Sequence, residues 1–408
     1  MGAVPLSLLL PVLLQLCINP AVSSGEDDYT WMQKKMPLLY EKQTVPLRVS
    51  SFSAEPLFEL NGTCGIECQR GFPEPSLEAL QEMLSYETMY ENGTRTLTSV
   101  TLQEFELTTR NASSSSTSRR KREVYGPDTR FTISDKQYSM KYPFSTAVKI
   151  STGCTGVLIS PRHVLTAAHC IHDGTDYIRG AEKLSVGVLR DKKKGGKRRR
   201  GKGRKEEGET EGVEVETGEK KRERKSKGRK SRSKRSVAGG KPTFRWTRVK
   251  KTQLPKGWFK GVSERAEADY DYCVLELKKK QKVAHMELGI ITSVKKLPAS
   301  RIHFSGFDDD RPGNLVYRFC SVSDESNELM YQQCDAKPGA SGAGVYVRLK
   351  EPGKRKWKRK VIGVFTGHQW VKVNGEQQDY NVAVRITPLK FAQICSWVHG
   401  DSSMCHNT

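Results

Sequence analysis

The sequence predicts an all-β body that ends in one helix and follows a separable N-terminal segment. Short apolar runs, among them Val157-Leu158-Ile159, Val274-Leu275-Glu276-Leu277, Val345-Tyr346-Val347 and Val361-Ile362-Gly363-Val364-Phe365, alternate with clusters of Gly, Pro, Asp and Asn. That is the pattern of buried or half-buried strands joined by turns. Near the end, Thr387 places a capping hydroxyl ahead of Pro388, and Leu389, Ile394, Trp397 and Val398 follow as an apolar stripe. A capped helix with one buried face fits those residues. Ahead of the strand runs, residues 111–122 read NASSSSTSRRKR, a Ser/Thr-rich linker between two regions of different patterning.

The N-terminus sets the expected compartment. Residues 4–17 are an apolar run too short to span a bilayer, followed by the small-residue pattern Ala21-Val22-Ser23, so residues 1–23 are read as a signal peptide. No other stretch is long and apolar enough for a membrane span, and the expected location is extracellular. Setting Cys17 aside leaves nine cysteines, Cys64, Cys68, Cys154, Cys170, Cys273, Cys320, Cys334, Cys395 and Cys405. In an oxidising compartment they allow four disulfides with one thiol left over. Asn61, Asn92 and Asn111 each begin an Asn-x-Ser/Thr sequon, the acceptor for N-glycosylation. The run Arg119-Arg120-Lys121-Arg122 then offers a secretory convertase an exposed site. Cleavage after Arg122 would leave 24–122 as a glycosylated pro-segment and 123–408 as the functional domain.

A second compositional break lies inside that domain. Residues 190–236 hold 22 Lys/Arg against nine Asp/Glu and only two aliphatic residues, Val213 and Val215. Such a segment cannot bury enough apolar surface to offset its ordering entropy, so it is read as a disordered insertion. Arg232-Ser233-Lys234-Arg235 repeats the basic processing pattern, with Arg235 as its cleavage point. The insertion carries more than half of the formal net charge of +23, and its expected partner is a heparin-like glycosaminoglycan. Along a secretory route nucleic acid is not an expected partner.

Nucleophilic catalysis by serine needs a base beside the hydroxyl, a carboxylate that orients the base, and backbone donors for the oxyanion. Residues 154–170 read CTGVLISPRHVLTAAHC, in which a strand and turn lead into His169. This segment resembles the histidine motif of the chymotrypsin-like serine proteases. The resemblance implies a double β-barrel, His169 as general base, and a Cys154–Cys170 disulfide closing its loop. Asp271 stands at the start of the run Cys273-Val274-Leu275 and matches the family's acid, with Asp269 two residues earlier as the alternative. Ser341 sits in Pro338-Gly339-Ala340-Ser341-Gly342-Ala343-Gly344, where flanking glycines allow a tight turn and the amides of Gly339 and Ser341 would form the oxyanion hole. Family bridge positions also imply Cys320–Cys334, with Cys395–Cys405 as a third pair and one of Cys64, Cys68 and Cys273 left over.

Two departures bear on activity. Trypsin-like members carry an Asp just before the nucleophile, which receives the new N-terminal ammonium after activation; here that residue is Ala340, and the expected new N-terminus begins with Glu123. The usual switch therefore cannot operate, although glutamyl-endopeptidase-like relatives also lack that Asp. Asp335 lies six residues before Ser341, the position of the acid that selects Lys or Arg, and Thr366 and His368 would line the same pocket. The chemistry calls for no cofactor or metal. Two functions stay open: an endopeptidase acting on a protein substrate, and a pseudoprotease binding a protein ligand.

Overall fold

The computed structural model describes residues 36–48, 75–103, 128–190, 243–259, 268–297, 300–350, 356–373 and 376–405. The 190–236 insertion beyond Arg190, and Asn61, Cys64, Cys68, Asn111, Arg122 and Arg235, lie outside them.

Ahead of the Ser/Thr-rich linker come β1 (Leu38–Leu47), α1 (Leu77–Leu84), β2 (Tyr86–Tyr90) and β3 (Arg95–Gln103). After it come β4 (Phe131–Ile133), the single turn α2 (Lys136–Ser139), β5 (Ala147–Ile150), β6 (Thr155–Leu158), β7 (His163–Thr166), β8 (Ser185–Arg190), β9 (Thr243–Pro255) and β10 (Cys273–Leu277). Strands β8-β9-β10-β7-β6-β5 close on one another as the first six-stranded barrel. The second is built from β11 (Arg301–Gly306), β12 (Leu315–Glu325), β13 (Leu329–Gln332), β14 (Gly344–Lys350), β15 (Trp357–Val373) and β16 (Glu376–Arg385), closed in the order β11-β14-β15-β16-β13-β12. Closure leaves neither barrel with an open sheet edge of its own, which the continuous burial of β6 and β7 requires.

The segment before the linker is part of this body. β9 runs for 13 residues, long enough to pair its first half with β8 (Ser185↔Arg248) and its second half with β2 (Tyr86↔Pro255, Thr88↔Gln253, Tyr90↔Lys251). β3 and β1 continue the sheet outward. α1 starts at Ser76, whose hydroxyl accepts from Ala79 N, and buries Leu80, Met83 and Leu84. These side chains share one apolar core with Tyr86, Met89, the first barrel and Trp397.

α3 (Pro388–His399) closes the chain on that core. Thr387 caps it by accepting from Lys390 N, and Gly400 ends it in the left-handed region at φ 80°. Ile394 and Trp397 are fully buried, with Leu389 and Val398 packed at the margin. Disulfides join Cys154 to Cys170, Cys320 to Cys334 and Cys395 to Cys405. Cys273 is a buried free thiol whose Sγ lies 3.5 Å from the Ala167 carbonyl, and burial pushes its pKa well up. Among the described residues no helix is long and apolar enough to cross a membrane.

Candidate active site

Strand register brings the first two groups together. β10 pairs with β7 antiparallel, Cys273 opposite Thr166, so the residues just before Cys273 lie beside those just after Thr166. The chain after Thr166 turns tightly through Ala168–Cys170, and the Cys154–Cys170 bridge pins that turn to the start of β6. Asp271 thereby grips His169 twice: Oδ2 lies 2.8 Å from Nδ1, and Oδ1 accepts from the His169 backbone amide at 2.9 Å. Both side chains are fully buried. An ionised Asp271 fixes the proton on Nδ1 and leaves Nε2 as the acceptor. The carboxylate that meets the imidazole is thus Asp271, with Asp269 two residues back in the short helix Ala268–Tyr270.

The loop that carries Ser341 is held by the first barrel. Thr155 N donates to the Ser341 carbonyl at 2.8 Å and Thr155 Oγ1 to the Gly339 carbonyl at 2.7 Å. Thr166 Oγ1 in turn donates to the Thr155 carbonyl at 2.7 Å. Gly342 has φ 82°, and a Cβ there would stand 2.1 Å from Thr166 Oγ1; Gly339 has φ 95°, with a Cβ 2.5 Å from the Phe307 carbonyl. Both positions require glycine for conformation and for space. Ala340 N, Gly342 N and Ala343 N donate to Lys337, Phe365 and Ala340 carbonyls, whereas the amides of Gly339 and Ser341 have no acceptor among the described residues. Two free amides flank the hydroxyl, the donor set an oxyanion needs. Ser341 is buried, and no hydrogen bond joins its Oγ to His169 Nε2, which lies 3.8 Å from Cys170 Sγ.

Ala340 is fully buried in the apolar core of the second barrel, beside Phe304, Val345 and Phe365. A carboxylate there would need a buried cation of its own. The buried acid that meets this loop is Asp308, in the connection after β11. Its side chain pairs with Arg318, accepts from Arg130 Nη1 at 2.9 Å, and accepts from Lys337 N at 3.3 Å. One residue on, Asp309 N donates to the Pro338 carbonyl at 2.8 Å. Arg130 also pairs with Asp310 and Asp128, and these carboxylates raise its pKa further. Burial draws the Arg318 pKa down against the opposing pull of Asp308.

Each of the three expected pocket residues has partners of its own. Asp335 Oδ2 accepts from Thr129 N at 2.8 Å and Thr129 Oγ1 at 2.7 Å. Thr366 Oγ1 is buried and donates to the Val382 carbonyl at 3.0 Å. His368, half exposed, pairs with Asp379 and lies edge-on to Trp370. Of the sequons, Asn92 is described; it is exposed in the turn between β2 and β3, where its Oδ1 accepts from Thr94 N at 3.0 Å. Sequence reasoning did not single out Thr155, Thr166, Asp308 or Arg130. Only the acid run Asp308-Asp309-Asp310 before Arg311 marks any of them in the sequence.

The chain is similar in sequence to known serine proteases and serine protease homologues. A family model described as Trypsin matches residues 133–211. Inactive serine protease 35 of Bos taurus is 60% identical over 94% of this chain and 94% of its own length, and that of Homo sapiens 57% over the same shares. Serine protease 23 of Macaca mulatta is 46% identical over 99% of both chains. A solved structure, "Structure of Glu endopeptidase in complex with MPD", aligns with 68% of this chain and 100% of its own at TM-score 0.42 and 17% identity. With two closed six-stranded barrels and relatives this similar along nearly its whole length, the chain belongs to the trypsin-type serine protease family, in the branch of serine protease 23 and inactive serine protease 35.

Proposed function

We propose that the protein is secreted and hydrolyses peptide bonds slowly, with Ser341 as nucleophile, His169 as general base, Asp271 orienting the base, and the Gly339 and Ser341 amides as oxyanion donors. The observation that carries this reading is the double grip of buried Asp271 on His169, at 2.8 and 2.9 Å. Structural histidines rarely need a buried carboxylate on both ring and backbone. A base needs that arrangement to hold its tautomer and to stabilise the imidazolium formed when the serine proton is taken up. The protein substrate's carbonyl would take the two free amides while Ser341 Oγ attacks; the leaving amine would then collect the proton from His169 Nε2.

A second reading, a pseudoprotease that binds a protein ligand, is favoured by the missing Ser341–His169 hydrogen bond and by the name of the relatives at 55–60% identity. Fluorophosphonate labelling separates the two. We expect slow, stoichiometric modification of Ser341 that vanishes in Ser341→Ala and falls by about 10³-fold or more in His169→Ala. Wild type indistinguishable from Ser341→Ala would leave the binding reading.

Asp335, Thr366 and His368 are proposed to wall the substrate pocket. Because Asp335 already accepts two hydrogen bonds from Thr129, we expect only a weak preference for Lys or Arg; strong selection of basic peptides from a library would refute this. Glycan at Asn61, Asn92 and Asn111, cleavage after Arg122 and Arg235, and a heparin-like partner for the 190–236 insertion complete the proposal. Peptide mapping and N-terminal sequencing of secreted protein test the modifications and cuts.

A further inference from the structure

On the outer face of the second barrel, β11, β14 and β15 are neighbours in that order. His303 pairs with Tyr346, and two residues further on the same face that register sets Arg301 level with Arg348. Arg348 in turn stands directly opposite Arg359. Three guanidinium-bearing residues therefore lie in one row straight across three adjacent strands, each step about 4.8 Å. Like charges at directly opposed positions destabilise a sheet. None of the three forms an ion pair among the described residues, and Glu287, the carboxylate at the margin, is already paired with Lys358 at 3.8 Å.

The row is also supported from below. The Arg301 guanidinium lies over the Phe319 ring and that of Arg348 over Trp357, both at 4.9 Å from the ring centre. Arg301 and Arg348 are exposed and Trp357 is 44% exposed. His303 lies beside the row, two residues from Arg301 on β11 and level with Tyr346, and burial together with the arginines' charge presses its pKa down to about 4, so it adds no further positive charge at neutral pH. Among the described residues no acid pairs with these arginines to relieve their mutual repulsion.

We propose that the Arg301–Arg348–Arg359 row is a binding surface for a sulfated polysaccharide. The aromatic rings are already covered by guanidinium groups, so they serve as supports that aim N–H donors outward and are poor platforms for stacked nucleobases. A row of cations across adjacent strands suits a linear polyanion, and guanidinium groups give sulfate oxygens paired hydrogen bonds. This surface is separate from the basic 190–236 insertion and independent of whether Ser341 is reactive.

Arginine-directed footprinting of the full-length protein with phenylglyoxal, read by mass spectrometry with and without a heparin-derived oligosaccharide, tests it without any variant. We expect Arg301, Arg348 and Arg359 to be protected, and Trp357 fluorescence to change over the same titration. Replacing the three by Gln should lower the slope of log affinity against log salt by roughly 1 per arginine. Protection confined to arginines of the insertion would overturn the proposal. Equal protection by polyglutamate, or by single-stranded DNA of matched charge, would overturn the assignment to a sulfated glycan.

Discussion

The two chain segments that flank the tetrabasic run are fastened to the body by different physics. On the N-terminal side, β1 to β3 and α1 attach through strand pairing with β9 and through apolar burial: Tyr86 packs edge-on to Trp397, Leu84 shares their core, and the Leu39 amide donates to Ser402 Oγ at 2.9 Å. On the C-terminal side, Asp128, Thr129 and Arg130 attach through charge, to Arg311, Asp335, Asp308 and Asp310. Apolar attachment is non-directional and tolerates small shifts. The ionic one is directional, and it ends on Asp308, beneath the segment that carries Gly339. One segment therefore supplies stability and the other supplies position. A cut after Arg122 would sever the chain between them and leave both in place.

Removing the directional contact should have the largest effect on chemistry. Arg130→Gln leaves Asp308 with Arg318 alone in the second-barrel interior and loosens the support of Lys337 and Pro338. If the Gly339 amide loses its position, we expect fluorophosphonate labelling of Ser341 to slow by about 10²-fold, at the low end of the ~10²–10³ typical for a lost oxyanion donor. An unchanged rate would mean that Thr155 alone positions the loop. Arg130 would in that sense do internally what an inserted N-terminal ammonium does elsewhere in the family, and labelling should not depend on cleavage after Arg122.

On the apolar side, Leu84→Ala removes a side chain that is 1% exposed and should destabilise by about 2–5 kcal/mol. Thermal unfolding measures this, and labelling at temperatures well below the transition should be unaffected. The fragment preceding a cut at Arg122 should also co-elute with the body in native buffer. Its release there would show that the sheet pairing with β9 is too weak to hold it.

The sequence made the ionic side hard to read and the catalytic side easy. His169, Asp271 and Ser341 could be picked out because each stands in a local pattern, a turn after a strand, an acid before a strand, a serine between glycines. The all-β body was legible from short apolar runs between turn residues, while its division into two barrels came from the resemblance of the His169 segment to the chymotrypsin-like proteases. Thr155 and Thr166 read as ordinary strand residues because their role depends on a distant loop, 184 positions from Thr155 at Gly339. Arg130 and Asp308 are separated by 178 residues, and no local signal marks one charge as the other's partner. Residues 24–122 read as a glycosylated pro-segment from their sequons and basic end, while their packing on the first barrel was not legible because the apolar spacing of Leu80, Met83 and Leu84 spans only one short helix. Strand register, which puts Arg301, Arg348 and Arg359 in a row, is a property of pairing and is absent from any single strand.

Acid should separate the two attachments along the pH axis. Asp128 is drawn down from its ordinary value to about 2, chiefly by its hydrogen bond from Arg130, and Asp310 is lowered by the same group. A carboxyl whose pKa is depressed on folding contributes stability that is complete above its unfolded value, near 3.8, and is lost as pH falls toward the folded value. The ionic attachment should therefore hold down to about pH 4 and weaken between there and pH 2. The first barrel responds earlier. Burial lowers His163 to about 4 and His172 to about 3, so the stability that comes from keeping them neutral is complete only above about pH 6.5 and drains away below it. Both carboxylates are about 40% exposed or more, and solvent screening makes this the smallest of the expected effects. Hydrogen exchange followed from pH 7 to pH 2.5, corrected for intrinsic rates, resolves the two windows. Amides of residues 163–172 should lose protection first, and those of 128–133 and 335–343 only below about pH 4. If residues 128–133 loosen together with the histidines, the Asp128 and Asp310 pairs are not what holds Arg130 in place, and Asp308 with Arg318 carries the loop alone.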